Sequence, residues 1–398
     1  MAEHSTDEQF LQRALDLARQ GLGLASPNPY VGAVIVDSQG QIAGTGAYTY
    51  DGVKHAEIRA LEPAGARARG ATLYINLEPH SHQGRTPPCT DALIVAGISR
   101  VVASMPDPNP RVSGRGFDKL RAAGIDVEVG GLEGEARRLN EAFARYIRHN
   151  VPLVTVKSAM TLDGKIGLST AASASFTSST ASSAARLREP CVPAGGWITG
   201  EAARAHVQQQ RHQSDAILVG IGTILADDPL LTDRSGNPRR RPLLRVILDS
   251  RLRLPLHSRL VQSAAKEGQS DILVLCASAN VRKKIELESC GIRVEQIGVG
   301  SDHSLDFHAI LRRLGELEIT SLLIEGGAAV NASALAADIV DKVFLYYAPK
   351  LLGDPDGVSF LDSARSGQIQ PLTVKHAQLH RFDEDIAIEG YLRDPYAE

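Results

Sequence analysis

Aromatic residues are scarce in this 398-residue sequence, and neither sign of charge is in excess. Aromatics make up 5% of the chain, and 43 Lys plus Arg residues are matched by 46 Asp plus Glu residues. Without a positive excess there is no general field to hold nucleic acid or an anionic membrane surface. No apolar run in the sequence approaches the roughly 18 residues of a membrane span. We therefore expect a small-molecule partner, and neither nucleic acid nor membrane.

Cysteine is also rare, and its four copies lie far apart, at Cys89, Cys191, Cys276 and Cys290. Such spacing in a long chain does not indicate a disulfide framework. The start of the sequence is charged throughout and lacks the apolar run and small-residue cleavage site of a secretory signal. These features predict a protein of the reducing cytoplasm.

Hydrophobic residues at 43% and charged residues at 22% are typical of a globular α/β protein. The length favours two folding units, since a domain usually has about 100–200 residues. Predicted strands alternate with helical patterns in both halves, which indicates sheets covered by helices. We place the boundary after a predicted helix ending near Asn150, which gives domains of residues 1–150 and 151–398. A Ser/Ala-rich stretch at about 170–195 can bury little of itself, which predicts a surface loop.

The first domain carries residue types that suit a catalytic zinc site. Such a site needs three protein ligands, an open position and an unligated acid/base nearby. His55 and Glu57 start one predicted helix, and Cys89 starts another, where the helix dipole favours a thiolate. His80 follows a predicted strand whose end faces both helix starts. We therefore expect His55, His80 and Cys89 to bind Zn²⁺ and Glu57 to carry protons.

A dinucleotide-binding motif in the second domain is excluded. The segment VGIGTIL contains G-x-G, but it lacks the third glycine and the first-strand context of the Rossmann fingerprint. Any nucleotide cofactor of this domain must therefore be held in a different way.

Several longer segments resemble those of one family. In the first domain, H-x-E is typical of the cytidine-deaminase superfamily. EPHSHQGRTPPC is similar to EPCSHxGRTPPC of the riboflavin-pathway deaminases, and SPNPYVGAVIV, HAE and DPNP also match that family. In the second domain the matching segments are VKSAMTLDGKIG, GWITGEAAR, QSDAILVGIGTILADDPLLTDR, IEGGAAVN and YYAPKLLG. The chain thus resembles the bifunctional deaminase/reductase family of riboflavin biosynthesis.

This resemblance implies a fold, two cofactors and a reaction sequence. The first domain would be a cytidine-deaminase-like three-layer α/β/α unit, and the second an α/β unit similar to dihydrofolate reductase. With Zn²⁺, the first would remove the 2-amino group of 2,5-diamino-6-ribosylamino-4(3H)-pyrimidinone 5′-phosphate by hydrolysis. With NADPH, the second would reduce the ribosyl group to ribityl. The resemblance also implies a homo-oligomer, either a dimer or a tetramer.

The resemblance further implies roles for individual residues. Lys157 and Glu325 would orient the ribose and handle a proton. NADPH would be held by Ala159, Trp197, Thr223, Asp227, Gly326 and Gly327. Substrate would be bound in the first domain by Asn28, Arg85, Asp107 and Asn109, and in the second by Gly195, Arg211, Leu231 and Arg234. The two arginines of the second set would hold the phosphate, because a guanidinium fork matches phosphate oxygens.

Two positions depart from the family pattern. His80 stands where the family has cysteine, which leaves the ligand set less negative and makes a bound zinc a stronger Lewis acid. His82 is a competing ligand close by. Gly195 stands where the family usually has serine, just after an insertion.

Two alternative interpretations stay open at this point. In one, the reductase is active but the deaminase is weakened because His80 replaces a thiolate. In the other, the first domain is a nucleotide- or RNA-binding module. The near-neutral charge and the lack of an aromatic-basic patch in the sequence argue against the second alternative.

Overall fold

The computed structural model describes residues 6–84, 86–167, 197–264, 271–300, 304–362 and 369–397. The stretch predicted to be a surface loop lies outside these residues, as do the predicted substrate residues Arg85 and Gly195. Strands of one large sheet all precede Asn150, and those of another all follow it. The sheets therefore separate near the expected domain boundary, while the division at 150/151 itself stays a prediction.

The first sheet consists of β1 (Gly32–Val36), β2 (Ile42–Ala47), β3 (Thr72–Ile75), β4 (Arg100–Ala103) and β5 (Asp126–Val129). Their order is β2-β1-β3-β4-β5. β1 is antiparallel to β2 and β3, whereas β3, β4 and β5 run parallel. The carboxylate of Asp37 accepts hydrogen bonds from the amides of Gln39 and Gln41 and so closes the β1–β2 turn. β1 and β2 therefore form an antiparallel hairpin.

Helices cover both faces of this sheet. They are α1 (Thr6–Arg19), α2 (Ala56–Ala64), α3 (Cys89–Ala96), α4 (Arg115–Ala122) and α5 (Glu133–His149), with a 3-10 turn at Gly65–Ala68. Side chains alternate along β1, so Val34 and Val36 pack with α1, while Ala33 and Ile35 pack with α2, α3 and α4. This is the three-layer arrangement that the cytidine-deaminase likeness implies.

The second half contributes β6 (Leu153–Thr161), β7 (Lys165–Gly167), β8 (Ala216–Gly220), β9 (Leu244–Leu248), β10 (Ile272–Cys276), β11 (Arg293–Gln296), β12 (Ser321–Ile324), β13 (Lys342–Ala348), β14 (Val358–Ser359), β15 (Lys375–Phe382) and β16 (Asp385–Tyr391). Nine of them form one sheet in the order β11-β10-β9-β8-β12-β6-β13-β16-β15. The strands are parallel from β11 to β13, and β16 and β15 add an antiparallel edge. β7 and β14 form a separate pair.

The helices described in this half are α6 (Glu201–Gln213), α7 (Ile221–Asp227), α8 (Arg259–Gln262), α9 (Val281–Ser289), α10 (Phe307–Glu316) and α11 (Ala328–Ala336). Along β8, Ala216 and Leu218 enter one core cluster, while Ile217 and Val219 enter another on the opposite face. The centre of the sheet is therefore buried on both faces, as expected for an α/β reductase domain. Of the helices described, none combines the length and the apolar character needed to cross a membrane.

The two halves pack closely where α5 ends. Asn150 caps α5 with φ 55°, and its carbonyl oxygen would lie 1.9 Å from a Cβ added to Gly315 of α10. Nζ of Lys342 on β13 lies 2.7 Å from Oε1 of Glu141 on α5. The helix that ends the first half thus rests directly on elements of the second.

Replacing Gly32 by alanine should destabilise the first domain. An added Cβ would lie 2.1 Å from the carbonyl oxygen of Ala14 on α1, so the helix would have to move off the sheet. Such overpacking costs about 1–3 kcal/mol of unfolding free energy, which urea titration measures. Gly134→Ala is the control, because nothing lies within 4 Å of the added Cβ and alanine favours helix. Equal stability of the two variants would contradict the close contact of α1 with β1.

Candidate active sites

Three elements bring the first set of predicted residues together. His55 is the N-cap of α2, with extended backbone (φ −66°, ψ 159°), and Glu57 lies in the first turn of that helix. Cys89 is the first residue of α3. His80 lies in the segment that follows the end of β3. Two helix starts therefore meet the carboxyl end of a strand, as the sequence predicted.

These four side chains form one compact group. One ligand atom each of His55, Glu57, His80 and Cys89 lies within 4.8 Å of the others. The rings of His55 and His80 have centroids 4.3 Å apart, and Cys89 is fully buried. The ring of His82 contacts that of His80 at 5.6 Å between centroids but does not join the group. The geometry therefore favours His80 over His82 as a ligand.

The buried polar atoms of this group fit a metal ion. Both ring nitrogens of His80 and Oε2 of Glu57 are buried without a hydrogen-bond partner among the described residues. Leaving a buried polar atom unpaired costs roughly 1–3 kcal/mol, so such atoms in a native site call for an ion or water. Two imidazoles and one thiolate are ligands that zinc accepts in a tetrahedral site. The group thus fits Zn²⁺, with Glu57 left for proton transfer.

Burial affects the imidazole and the thiol of this site differently. Burial, with His55 and His82 nearby, lowers the pKa of His80 to about 4, which keeps the ring neutral as a metal ligand must be. Burial raises the pKa of Cys89, and the adjacent Glu57 carboxylate adds to the rise. Burial and Glu57 therefore oppose the thiolate that the start of α3 favours. A divalent cation bound to Cys89 would favour the thiolate, because a coordinating thiol is deprotonated.

Thr86 is a contact of this site that the sequence analysis missed. Its hydroxyl oxygen lies 3.2 Å from Nε2 of His55. A hydrogen bond at the second ring nitrogen of a metal-binding histidine fixes the orientation of the ring. The available signal was the position of Thr86 inside the GRTPPC segment.

Asn28 is connected to the same group through the aromatic ring of Tyr48. Its Nδ2 donates a hydrogen bond to the Tyr48 hydroxyl at 2.6 Å, and the Tyr48 ring meets the His55 ring edge-on with centroids 5.4 Å apart. Tyr48 is 6% exposed. The predicted substrate residue Asn28 and the predicted ligand His55 therefore both contact Tyr48. The sequence analysis did not identify Tyr48.

Asp107 and Asn109 lie in one turn after β4. The amide of Asn109 donates to Oδ1 of Asp107 at 2.8 Å. Burial raises the pKa of Asp107 to about 6, with the Asn109 amide and the charge of His82 acting in the opposite direction. Asp107 is therefore on the side of the site where His82 lies. The roles of Asp107 and Asn109 in substrate binding stay predictions.

The second predicted pair meets across adjacent strands. Lys157 is on β6 and Glu325 directly follows β12, and the two strands pair with Ile324 opposite Val156. Nζ of Lys157 lies 3.3 Å from Oε2 of Glu325, and both side chains are nearly buried. This non-local contact is the one expected of a site assembled across a sheet.

Arg211 joins this pair in a way that the sequence did not predict. Its Nε and Nη2 donate to the two carboxylate oxygens of Glu325 at 2.7 and 3.0 Å. Burial would raise the pKa of Glu325, but Lys157 and Arg211 outweigh it and hold the pKa at about 2. The stabilisation from this lowered pKa is complete above the ordinary value of 4.5 and disappears only as the pH falls toward about 2.

The other predicted substrate residues of the second domain are less closely grouped. Leu231 is 4% exposed and packs in a core cluster. Arg234 is exposed, and its amide donates to Oε1 of Gln208 on α6 at 3.0 Å. The structure thus brings Arg211 to the Lys157–Glu325 pair, and the pocket roles of Leu231 and Arg234 stay predictions.

A glycine turn precedes α11 and lies next to α7. A Cβ added to Gly326 would lie 2.7 Å from the Val330 side chain, so this position has room only for glycine. A Cβ on Gly327 would lie 3.9 Å from Oγ1 of Thr223. The free amides at the start of a helix bind phosphate oxygens. The turn and Thr223 together therefore fit a phosphate group of a nucleotide cofactor.

The remaining predicted cofactor residues lie on separate elements. Ala159 is on β6 opposite Tyr346, and Asp227 ends α7, where burial raises its pKa. Trp197 is 54% exposed, with the Arg204 guanidinium 5.2 Å from its ring centroid. The structure brings Thr223 to the glycine turn, whereas the cofactor roles of these three residues stay predictions.

Comparisons with known proteins cover both halves. Residues 4–105 match the family model of the cytidine and deoxycytidylate deaminase zinc-binding region, and residues 152–388 match that of the RibD C-terminal domain. The riboflavin biosynthesis protein RibD of Actinobacillus pleuropneumoniae is 39% identical over 98% of this chain and 96% of its own. Acinetobacter baumannii RibD has a similar structure, with 34% identity, a TM-score of 0.77 and coverage of 97% and 98%.

A third likeness is to a Thermotoga maritima structure that is named a diaminohydroxyphosphoribosylaminopyrimidine deaminase/5-amino-6-(5-phosphoribosylamino)uracil reductase. It is 34% identical, with a TM-score of 0.75, and the match covers 97% of this chain and 98% of that one.

The fold and the two sites define a class of enzyme, in which a zinc-binding deaminase domain is followed by a reductase domain of the NADPH-dependent type. Within that class, the chain belongs to the family of the riboflavin biosynthesis protein RibD. It is a bifunctional enzyme of riboflavin biosynthesis that acts on a small molecule. Neither a reductase with a weakened deaminase nor an RNA-binding module is favoured by these matches.

Cys89→Ser should lose zinc, because the variant replaces a thiolate ligand in a fully buried position. Elemental analysis of the purified protein measures the zinc-to-protein ratio, which we expect to fall from about one per chain to well below that value. Cys276→Ser is the matched control, since Cys276 is equally buried but lies on β10 of the second sheet. Full zinc content in Cys89→Ser would exclude Cys89 as a ligand.

Proposed function

We propose that the chain first removes the 2-amino group of 2,5-diamino-6-ribosylamino-4(3H)-pyrimidinone 5′-phosphate by hydrolysis, and then reduces the ribosyl group to ribityl with NADPH. The observation that carries this proposal is the convergence of His55, Glu57, His80 and Cys89 within 4.8 Å. The activities in the name of the Thermotoga relative support the choice of substrate. The test is to supply this substrate with and without NADPH: deaminated ribosyl product is expected without it, and ribityl product with it.

In the first domain, His55, His80 and Cys89 hold Zn²⁺, which acts as a Lewis acid when bound. Glu57 takes a proton from the attacking water at Oε2 and gives a proton to the departing amine nitrogen, which leaves as ammonia. Oε2 suits this role because it is buried without a partner among the described residues. Burial also raises the pKa of Glu57, so the carboxyl group both accepts and donates protons nearer neutral pH. The substrate is oriented by Asn28, Arg85, Asp107 and Asn109.

When bound in the second domain, NADPH would supply the hydride for the anomeric carbon, whose bond to the ring oxygen breaks. The ion pair with Glu325 fixes the ammonium group of Lys157, which orients the ribose and gives a proton to that ring oxygen. Arg211 donates two of its five N–H groups to Glu325 and one to the Thr232 carbonyl oxygen. The other two N–H groups can bind the substrate phosphate. Arg234, Leu231 and Gly195 are further proposed substrate-binding residues. NADPH is held by Ala159, Trp197, Thr223, Asp227, Gly326 and Gly327.

We also propose domains of residues 1–150 and 151–398, a homo-oligomer (dimer or tetramer) and a location in the cytoplasm. Among the described strands, β15 has a neighbour on one side only and carries Leu379 at 71% exposure, which supports association through this edge. Within the described residues, Cys89, Cys276 and Cys290 form no disulfide with one another, which supports a reducing compartment.

Glu57→Gln should keep zinc and lose ammonia release. The amide neither accepts nor donates the proton as a carboxyl group does, so we expect a loss of roughly 10²–10⁴-fold in deamination rate. Ammonia release from the diaminopyrimidine substrate without NADPH measures the effect. Glu62→Gln, in the same helix but exposed and paired with Lys54, should leave the rate unchanged. If Glu57→Gln deaminates normally, Glu57 has no part in the chemistry.

Glu325→Gln should impair ribose reduction and leave ammonia release intact. A neutral amide cannot balance both Lys157 and Arg211, so the Lys157 ammonium loses its fixed position, and we expect kcat/KM for reduction to fall roughly tenfold or more. NADPH oxidation with the deaminated substrate measures this. Glu389→Gln removes another carboxylate of the same sheet that pairs with a lysine, and it should leave reduction near normal. If both variants lost reduction to the same extent, the effect of Glu325→Gln would be structural and not specific to the reductase site.

A further inference from the structure

Glu78 has an unusual set of partners for a buried carboxylate. It follows β3, stands two positions before His80 and is 5% exposed. Its Oε2 accepts hydrogen bonds from the amides of Asp107 and Gly114 at 2.9 and 2.8 Å, and its Oε1 accepts one from Gly116 at 2.7 Å. A carboxylate is an acceptor only, so three backbone N–H groups are well matched to it.

The three amides belong to the two ends of one segment, residues 107–116. Asp107 opens the segment, and Gly114 and Gly116 lie at its return into α4. Between these ends, the amide of Arg111 donates to Oδ1 of Asn109 at 3.1 Å. One side chain therefore ties both ends of the loop to a single point.

That point is the backbone stretch that carries His80. A Cβ added to Gly116 would lie 2.1 Å from the carbonyl oxygen of Pro79, so α4 starts in backbone contact with the residue before His80. The tied loop contains Asp107 and Asn109, the two predicted substrate residues. Its position is thus set relative to the metal-binding group and not only relative to the domain core.

We infer that Glu78 is a positioning residue of the deaminase domain, which holds the 107–116 segment in the conformation that binds substrate. Glu78 itself contacts none of the reacting atoms and acts through Asp107 and Asn109. The inference rests on the proposed function for those two residues. Holding a binding loop in its bound conformation lowers the entropy lost on binding, so loosening the loop weakens substrate binding.

Glu78→Gln tests this inference. Glutamine keeps one acceptor oxygen but turns an NH₂ group toward backbone N–H groups, so at least one of the three hydrogen bonds is lost. In the zinc-loaded full chain, hydrogen exchange of peptides covering 107–116 should become about tenfold faster. KM for the diaminopyrimidine should rise about tenfold with kcat within about threefold, because the loss falls on binding. Zinc content and ribose reduction should be unchanged.

Two further variants separate positioning from stability. Asp37→Asn removes a carboxylate that accepts hydrogen bonds from two backbone amides in the β1–β2 turn of the same domain. This variant should change hydrogen exchange in that turn without changing KM for the diaminopyrimidine. Glu78→Asp keeps the charge and both acceptor oxygens on a shorter stem, so its KM should lie between those of wild type and Glu78→Gln. If Glu78→Gln does not fold, Glu78→Asp alone decides, by the same two readouts.

Each remaining outcome has a defined meaning. Unchanged exchange in 107–116 would show that Glu78 does not hold the segment, and faster exchange with unchanged KM would show that holding it does not matter for binding. Loss of zinc in Glu78→Gln would assign Glu78 to the support of His80 instead. Each of these overturns the inference. Asn109→Ala tests the proposed function separately. If the KM of this variant is normal while Glu78→Gln still makes hydrogen exchange in 107–116 faster, the segment does not bind substrate, although Glu78 does hold its conformation.

Discussion

The deaminase half depends on polar groups that are buried together without partners of their own. Cys89 and Glu57 are almost fully enclosed, and the His80 ring nitrogens and one Glu57 oxygen lack hydrogen bonds within the described chain. Burial opposes charge on both the thiol and the carboxyl group. A bound divalent cation would offset this penalty at Cys89, because a coordinating thiol is deprotonated. Metal binding and the folded geometry of α2, α3 and the end of β3 are therefore coupled.

In the reductase half, a buried charge is balanced by neighbouring side chains of the protein. Glu325 is buried, but Lys157 and Arg211 supply two positive charges against its single negative one. The three side chains together carry a net positive charge, which suits the phosphate-bearing substrate and cofactor proposed for this site. Because the pKa of Glu325 is held at about 2, the arrangement does not change its charge across the neutral range. This site is thus ordered without a cation, whereas the deaminase site requires one.

The sequence predicted most of the architecture and the four side chains that meet at the candidate metal site, since these follow from local patterns. Alternating strands and helices gave both sheets, and the helix starts at His55 and Cys89 gave the zinc group. What the sequence could not predict is set by contacts between distant residues. Arg211 pairs with Glu325 across 114 positions, and Glu78 meets Gly116 across 38. The pKa of Cys89 also depends on burial and on Glu57, which a helix-dipole argument does not include.

The junction between the halves contains a buried hydrogen-bond network. Oδ2 of Asp215 accepts hydrogen bonds from the hydroxyls of Ser26 and Thr320, each at 2.7 Å, and all three residues are buried. Ser26 lies two positions before Asn28 of the deaminase site, and Asp215 lies four positions after Arg211 of the reductase site. Separating the halves would break the hydrogen bond from Ser26 to the Asp215 carboxylate, and a hydrogen bond to a charged group contributes about 1.5–3 kcal/mol. The two halves are therefore joined through buried residues that belong to neither candidate site.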